Sequence, residues 1–275
     1  MTNVAVPGGS QPEILELVKA AKRKYGSAVN FYIFDEAENI DQDNLWTYIS
    51  CEKGTMIQKA VQSLTDGQTQ ILLKGIVQTH DMLKEVLKKE HALKSQSLLS
   101  HVSIIDIPKL GRPLLLTDAG MNIAPTKDQQ IQIIENAVSV AEKMGLAKPK
   151  VALLSSAETY NPKMPSSILA QEVTEYFRNQ EEFIVYGPLS LDLALSKEAV
   201  AHKKFTGPIE GDADILVVPS IDVGNVFYKS LLLFGNASTG GLIAGVKIPI
   251  VLTSRSDSVE NKLYSLEFAL EQLKE

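Results

Sequence analysis

Short apolar runs bounded by turn residues recur along the chain, and such runs are typical of buried strands. They occupy residues 29–34, 70–74, 101–107, 113–117, 151–155, 183–186, 214–217 and 248–253. Between them, apolar residues recur every three or four positions, which is the spacing of helices. The pattern predicts helices over residues 13–25, 82–93, 126–144 and 169–178, a helix that carries Asn225 and Lys229, and a last helix from Ser258 onward. Strands that alternate with helices form crossover units, so the pattern predicts an α/β fold with a largely parallel sheet.

The pattern is weaker before residue 70. We expect the first ten residues to be a flexible lead-in, residues 35–43 to be an acidic loop, and residues 45–66 to be helical in their second half. Later in the chain, Thr126 and Gln129 have the spacing of a capping box, in which the two side chains satisfy the first free N–H groups of a helix. This spacing predicts that a helix begins directly after Thr126.

Polar residues collect where predicted strands end and predicted helices begin. The strand over 214–217 leads past Asp222 into a helix that carries Asn225 and Lys229. The strand over 248–253 leads through a turn containing Ser254, Arg255, Ser256 and Asp257, and earlier strands are followed by Thr79 and Asp81 and by Thr117, Asp118 and Asn122. Open α/β sheets bind ligands at the edge formed by the carboxyl ends of their strands, where the N-termini of the following helices favour anions. The sequence therefore predicts an anion-binding cleft.

Simpler interpretations exist for several of these side chains. The serines at 254, 256 and 258 are suited to capping the last helix, and Asp222 is suited to capping the helix through Lys229. A single lysine such as Lys229 is most often a solvated surface residue. Arg255 is the strongest candidate, because a rigid guanidinium fork fits phosphate or carboxylate.

Bulk composition narrows the function classes. The 275 residues are 44% hydrophobic and 22% charged, as in a soluble globular enzyme with one large α/β domain or two smaller ones. The formal net charge of -6 argues against a nucleic-acid or anionic-membrane partner. Cys51 is the single cysteine, which rules out intramolecular disulfides, and the four histidines are scattered, so no metal site is expected. With neither a signal-peptide pattern nor a membrane-length apolar run, we expect a cytoplasmic protein.

Several common site signatures are absent from the chain. It contains no Gly-x-Gly-x-x-Gly, no phosphate-loop pattern, no His-Glu-x-x-His and no Gly-x-Ser-x-Gly. The residues by themselves therefore lead to an α/β enzyme with an anion-binding cleft.

A set of separate blocks carries a more specific signal. These blocks are Lys74-Gly-Ile-Val-Gln-Thr79, Leu98-Leu-Ser-His-Val102, Leu116-Thr-Asp-Ala-Gly-Met-Asn-Ile-Ala-Pro125, Asn161-Pro-Lys-Met-Pro165 and Tyr186-Gly-Pro-Leu-Ser-Leu-Asp192, followed by the two polar junctions. In this order, from about Lys74 to the carboxyl end, the chain resembles the phosphate acetyl/butyryltransferase family, most closely its phosphate butyryltransferases.

The resemblance implies a reaction and an architecture. The reaction is acyl-CoA plus inorganic phosphate giving acyl phosphate plus CoA, with CoA as a substrate and no permanently bound cofactor. The fold would have two domains with mostly parallel sheets, like the isocitrate/isopropylmalate dehydrogenases, and an interdomain cleft. The first domain would comprise residues 1–124 and 249–275, and the second residues 125–248. A homodimer is expected.

The resemblance also implies residue roles. Ser254 would donate a hydrogen bond to the developing oxyanion or thiolate, and Arg255 would bind phosphate. Asp257 or Glu260 would supply a general base, if one is needed. The substrate-binding residues would be Asp222, Asn225 and Lys229 lining the cleft, Asn122 at the domain crossover, and Thr79 with Lys84 near phosphate.

The chain departs from the family pattern at four positions. Lys84 replaces an arginine on the helix after Thr79, Gln78 and His80 replace small residues, and Asn261 replaces an acidic residue. These substitutions motivate an alternative in which the protein binds CoA or an acyl phosphate without turnover. Phosphate acetyltransferase is the alternative within the family. A dehydrogenase of the hydroxythreonine-phosphate type is a third, and the missing metal ligands count against it.

Overall fold

The computed structural model of the chain describes residues 1–36, 43–253 and 257–274. The strands are β1 (Thr2–Pro7), β2 (Val29–Asp35), β3 (Thr47–Ser50), β4 (Ile71–Leu73), β5 (Ser100–Asp106), β6 (Pro113–Thr117), β7 (Lys150–Leu154), β8 (Ile184–Leu189), β9 (Ile215–Val217), β10 (Ser238–Ala244) and β11 (Ile250–Val251). The helices are α1 (Pro12–Tyr25), α2 (Met56–Thr65), α3 (Thr79–Val86), α4 (Lys127–Lys143), α5 (Pro165–Tyr176), α6 (Leu191–Leu195), α7 (Lys197–Lys203), α8 (Ile221–Phe234) and α9 (Val259–Glu271).

The chain divides into two compact units. Unit 1 contains Met1–Ser95 and Gly240–Lys274, and unit 2 contains Gln96–Thr239. The chain thus leaves unit 1 at residue 96 and returns at residue 240. The boundaries expected from the sequence lie after residues 124 and 248. Strand pairing explains the difference. Strand β5 pairs with β6, which pairs with β9 in unit 2, while β10 pairs with β11 in unit 1.

Unit 1 is built on strands in the order β3-β2-β1-β4-β11-β10. Neighbours from β3 to β11 are parallel, and β10 runs antiparallel to β11. Helices α1 and α9 pack on this sheet, with apolar residues such as Leu17, Phe31 and Leu266 in the core between them. Because β1, β2, β4 and β11 are parallel, their carboxyl ends meet at one edge of the sheet.

The prediction of a flexible lead-in is wrong. Strand β1 lies between β2 and β4, hydrogen-bonded on both sides, and Val4, Ala5 and Val6 are completely buried. The run is short and ends in proline and two glycines, so nothing local distinguishes it from a loop; only its two neighbours make it a strand. Strands β3 and β10 were likewise not predicted.

The helix predicted over residues 82–93 differs from the observed one. Helix α3 begins earlier, at Thr79, and ends at Val86. A single 3-10 turn over Lys89–His91 follows and closes on Ala92, which has left-handed backbone geometry. The apolar spacing of residues 82–87 is therefore helical, but the lysines and glutamate after it form a separate turn.

Unit 2 is built on strands in the order β5-β6-β9-β7-β8. Strands β6, β9, β7 and β8 are parallel, and β5 is antiparallel to β6. Helix α4 begins with the predicted capping box of Thr126 and Gln129. The α/β class with mostly parallel strands is confirmed. No helix in the described part of the chain combines the length and apolar character needed to cross a membrane.

Candidate functional site

The carboxyl edge of the unit 1 sheet is formed by closely approaching backbone. Gly75, two residues after the end of β4, donates its N–H to the carbonyl of Pro7, and a Cβ at Gly75 would lie 2.4 Å from the Gly8 carbonyl oxygen. Ser10, which follows Gly8 and Gly9, donates both its N–H and its hydroxyl to the Asp35 carboxylate, at 3.1 and 2.5 Å. Sequence reasoning missed this Gly-Gly-Ser turn, because the strand before it was not recognised as a strand.

Helix α3 starts at this same edge, four residues after Gly75. Thr79 is its first residue, and the preceding Gln78 provides no side-chain cap, so the first-turn amides keep their capacity to bind an anion. Lys84 lies in the last turn and is exposed. Five residues correspond to about 140° of rotation around a helix. Thr79 and Lys84 therefore point in different directions, and only Thr79 lies at the helix start.

The second predicted unit 1 element follows β11. Residues 254–256 lie outside the described part of the chain. The roles of Ser254 and Arg255, the two central residues of the predicted site, therefore stay predictions. Beyond them, Ser258 caps α9 by accepting from the Asn261 N–H at 3.2 Å, which confirms its capping role. Asp257 is half-buried beside this cap. The Glu260 backbone N–H and the Ser258 hydroxyl lower the pKa of the Glu260 carboxyl, so this group is held ionised.

In unit 2, a buried carboxylate organises the turn after β6. Asp118 is 3% exposed. One of its oxygens accepts the N–H groups of Gly120 and Met121, both at 2.8 Å, and the other accepts the N–H of His101 at 3.2 Å. That second oxygen also accepts the N–H of Asn122 at 3.3 Å and its side-chain amide at 2.6 Å. Asp118 was noted in the sequence only as one of several polar turn residues, yet it fixes this turn.

Asn122 is anchored inside unit 2. Its side-chain amide donates to Asp118 and to the carbonyl of Leu99, the latter at 2.9 Å, which occupies both amide hydrogens. A ligand at this position would therefore meet the amide oxygen of Asn122, not its N–H groups. The residue lies within unit 2, well after the point where the chain leaves unit 1.

Helix α8 presents the three other predicted residues of unit 2. Ser220, not Asp222, is its N-cap, because the Ser220 hydroxyl accepts from the backbone N–H of Val223. Asp222, Asn225 and Lys229 are exposed and lie three to four residues apart, so they share one face. The Asn225 amide donates to the carbonyl of Ala119 at 3.5 Å, in the turn held by Asp118. The structure thus joins Asn122 and Asn225 through one turn.

A Cβ at Gly224 would lie 2.9 Å from the Ala119 Cα, so the glycine allows α8 to approach this turn closely. The tight packing fixes the start of α8 next to the turn after β6. The Ile221 N–H donates to the Ile123 carbonyl at 2.9 Å, which ties the helix start to the same segment.

One cluster has the composition of a metal site. Glu85, Glu90 and His91 bring three ligand atoms within 4.8 Å of one another. Glu85 is already paired with His91 at 3.0 Å and with Lys88 at 2.9 Å. Burial opposes ionisation of Glu85, but its hydrogen bonds to Lys88 and His91 prevail and lower the pKa of this carboxyl. The Lys88 ammonium therefore already compensates the charge of Glu85, and His91 shares a hydrogen bond with it.

Each unit thus has one polar strand edge. Unit 1 offers first-turn amides and Thr79 beside a glycine-rich backbone turn. Unit 2 offers Asn225 and Lys229 beside the Asp118 turn, where Asn122 presents only its amide oxygen. Amide donors, helix starts and an ammonium group can stabilise negative charge on a phosphate or on a developing oxyanion. Neither edge contains an activated nucleophile among the described residues, so the arrangement is suited to binding and polarising a substrate.

Comparison with known proteins gives consistent results. The family model described as phosphate acetyl/butaryl transferase matches residues 49–269. Phosphate butyryltransferase of Clostridium acetobutylicum is 37% identical over 98% of this chain and 92% of its own. The crystal structure of a branched-chain phosphotransacylase from Enterococcus faecalis V583 is 59% identical, with a TM-score of 0.95 over 99% of both chains. The 4-hydroxythreonine-4-phosphate dehydrogenase of Klebsiella pneumoniae, 13% identical with a TM-score of 0.61 over 99% of both chains, shares the fold.

Proposed function

The chain belongs to the phosphate acetyl/butaryl transferase family, and from this premise we propose that it exchanges an acyl group between CoA and inorganic phosphate. It is a phosphate acyltransferase whose substrates are an acyl-CoA and phosphate. The observation that carries the proposal is the family match, which spans both units and every predicted site residue.

The reaction needs charge stabilisation more than covalent catalysis. A phosphate oxygen attacks the thioester carbonyl, the carbon–oxygen bond forms, and the carbon–sulfur bond breaks as its electron pair leaves on the CoA thiolate. Negative charge develops first on the carbonyl oxygen and then on sulfur. Hydrogen-bond donors fixed in place before the reaction stabilise such charge without reorganising.

We assign the roles accordingly. Arg255 binds phosphate as a bidentate guanidinium, and Ser254 donates to the oxyanion or the leaving thiolate. Thr79 and the first-turn amides of α3 contribute to phosphate binding. Asn225 and Lys229 contact the CoA ester. Asp257 is the candidate base, although phosphate that is already ionised needs little help in losing a proton.

A butyryl-like acyl group is our first choice of substrate, with acetyl as the alternative. Support comes from the phosphate butyryltransferase of C. acetobutylicum and from the branched-chain phosphotransacylase of E. faecalis, which is the more similar in sequence. We also propose a cytoplasmic location, as predicted from the sequence.

A second candidate function is binding without turnover. One observation favours it: Lys84, which replaces the family's arginine, lies in the last turn of α3 and points away from Thr79. In this alternative the protein would bind CoA or acyl phosphate and release no thiol.

We also propose a homodimer formed through the carboxyl end of α8. Leu233 and Phe234 are 72% and 84% exposed. These two side chains form an apolar patch at the helix end, and a twofold axis would bury both copies of this patch against each other. Light scattering should give twice the chain mass for wild type and the single mass for Phe234→Ser. A monomeric wild type would refute this part of the proposal.

The decisive experiment measures release of CoA thiol from acetyl-, butyryl- and isobutyryl-CoA, with and without phosphate. We expect phosphate-dependent release, fastest with the four-carbon esters. Release that ignores phosphate would refute the transferase assignment, and tight CoA binding without release would support the second candidate. Arg255→Ala should raise the KM for phosphate strongly, whereas the matched control Arg23→Ala, on the exposed end of α1, should not.

A further inference from the structure

Unit 2 contains an apolar cavity that none of the predicted site residues line. Its volume is about 390 Å³, and its apolar walls are Leu154, Leu191, Val218, Pro219, Val223 and Phe227. These residues lie at or just after the carboxyl ends of β7, β8 and β9, or on the first two turns of α8. The cavity therefore lies at the edge of the parallel sheet where α/β folds bind ligands.

The serines on one side of the cavity are engaged within the protein. The Ser155 hydroxyl lies 2.9 Å from that of Ser166 and also contacts the Met164 sulfur, and the Ser156 hydroxyl contacts the same sulfur at 3.3 Å. No charged side chain of the described residues lines the cavity. A ligand group with strong hydrogen-bonding needs would lose its water without gaining partners here, whereas a hydrocarbon group would not.

An ionic cluster fixes another side of the cavity. The Ser190 hydroxyl lies 2.6 Å from the Asp192 carboxylate and 3.0 Å from that of Glu158, so its one proton is available to either. Lys203 bridges both carboxylates, at 2.7 Å from Asp192. These contacts join the loop after β7 to the turn after β8. The two loops that meet the cavity at Ser190 are thus joined by side-chain contacts before a ligand enters, which lowers the ordering cost of binding.

Helix α8 separates the cavity from the polar residues assigned to the CoA ester. Val223 and Phe227 are four residues apart and share one face, while Asn225 lies about 200° from each around the helix. The start of α8 therefore has a polar side, facing the Asp118 turn, and an apolar side, facing the cavity. The two sides meet at the N-terminal end of α8, where Ile221 is hydrogen-bonded to Ile123 and the preceding Pro219 lines the cavity. A thioester placed over this end of the helix can direct its polar atoms to one side and its short chain to the other.

We propose that this cavity binds the hydrocarbon chain of the acyl group and so sets the chain length that the enzyme accepts. This inference rests on the proposed acyltransferase function. The ligand class is a short straight or branched acyl chain, because the walls are apolar and the neighbouring hydroxyls already have partners.

The test compares kcat/KM for acetyl-, butyryl- and isobutyryl-CoA at saturating phosphate. Val223→Phe and Leu191→Phe fill the cavity from two different walls, and both positions are partly exposed, so a larger side chain can be accommodated in the fold. We expect each to lower kcat/KM for the four-carbon esters by about tenfold or more and to change the value for acetyl-CoA less than about twofold. Leu87→Phe makes the same change as Leu191→Phe at a comparably exposed position in unit 1 that does not line the cavity, and it should match wild type.

An equal loss with all three esters would overturn the proposal, since it would indicate that the cavity holds a part of CoA common to them. Unchanged kinetics in both filling variants would overturn it as well. Neither result affects the proposed function, which fails only if the wild-type enzyme shows no phosphate-dependent thiol release.

Discussion

Replacing Asp118 by asparagine tests whether this carboxylate holds the unit 2 turn. One oxygen accepts from Gly120 and Met121, and the other accepts from His101 and twice from Asn122. Whichever oxygen becomes an NH2 group, at least two N–H donors then face a donor. At about 1.5–3 kcal/mol for each hydrogen bond to a charged group, the loss is about 3–6 kcal/mol.

Urea unfolding measures this loss directly. With a slope of about 2 kcal/mol per molar urea, the midpoint of the affected transition should fall by about 1.5–3 M. The same variant should lower kcat/KM, because the turn that carries Asn122 is no longer fixed. Asp106→Asn is the matched control: this aspartate is exposed at the end of β5, and its replacement should change stability by less than about 0.5 kcal/mol. A stability of Asp118→Asn within that same margin would refute the reasoning.

Three further predictions follow from local geometry. Gly75→Ala would place a Cβ 2.4 Å from the Gly8 carbonyl oxygen, so urea unfolding should show a loss of about 1–3 kcal/mol. Thr126→Ala removes the capping box of α4 and should cost about 1 kcal/mol in the same assay. Hydrogen bonds from Lys203 and then Ser190 lower the pKa of Asp192 from 3.8 to about 2. Its ionised form therefore adds stability above pH 3.8, which is lost as the pH falls through about 2.

The pH prediction is tested by unfolding wild type and Asp192→Asn across that range. Because the Asp192 side chain is about half exposed, the difference above pH 3.8 should be less than about 1 kcal/mol and should vanish near pH 2. A difference that grows as the pH falls would contradict the assigned cause. If Gly75→Ala had the stability of wild type, the backbone at Gly75 and at Gly8 could move apart without cost, which would contradict that prediction. For Thr126→Ala, an unchanged midpoint would mean that α4 depends on packing alone.

Several elements could be predicted from sequence because their determinants are local. The helix over residues 13–25 and the strand over residues 113–117 follow the spacing of apolar side chains, and the α4 cap follows from two residues three positions apart. The anion-binding edge could also be predicted, because parallel strands bring their carboxyl ends together whatever their order. Family membership followed from blocks of residues in a fixed order.

What the sequence could not give depends on distant parts of the chain. Strand β1 is a strand only because β2 and β4 hydrogen-bond to it from both sides. The direction of Lys84 depends on where α3 begins, which the apolar spacing placed three residues too late.

The sequence determined the family, the α/β class and the residues with the right chemistry, since these depend on residue identity and short-range periodicity. Tertiary structure alone decided which donors are already occupied, as for Asn122, and which apolar residues surround an empty space, as for Val223 and Leu191. Hydrogen bonds and cavities are formed by side chains that meet only after the strands have taken their order in the sheet.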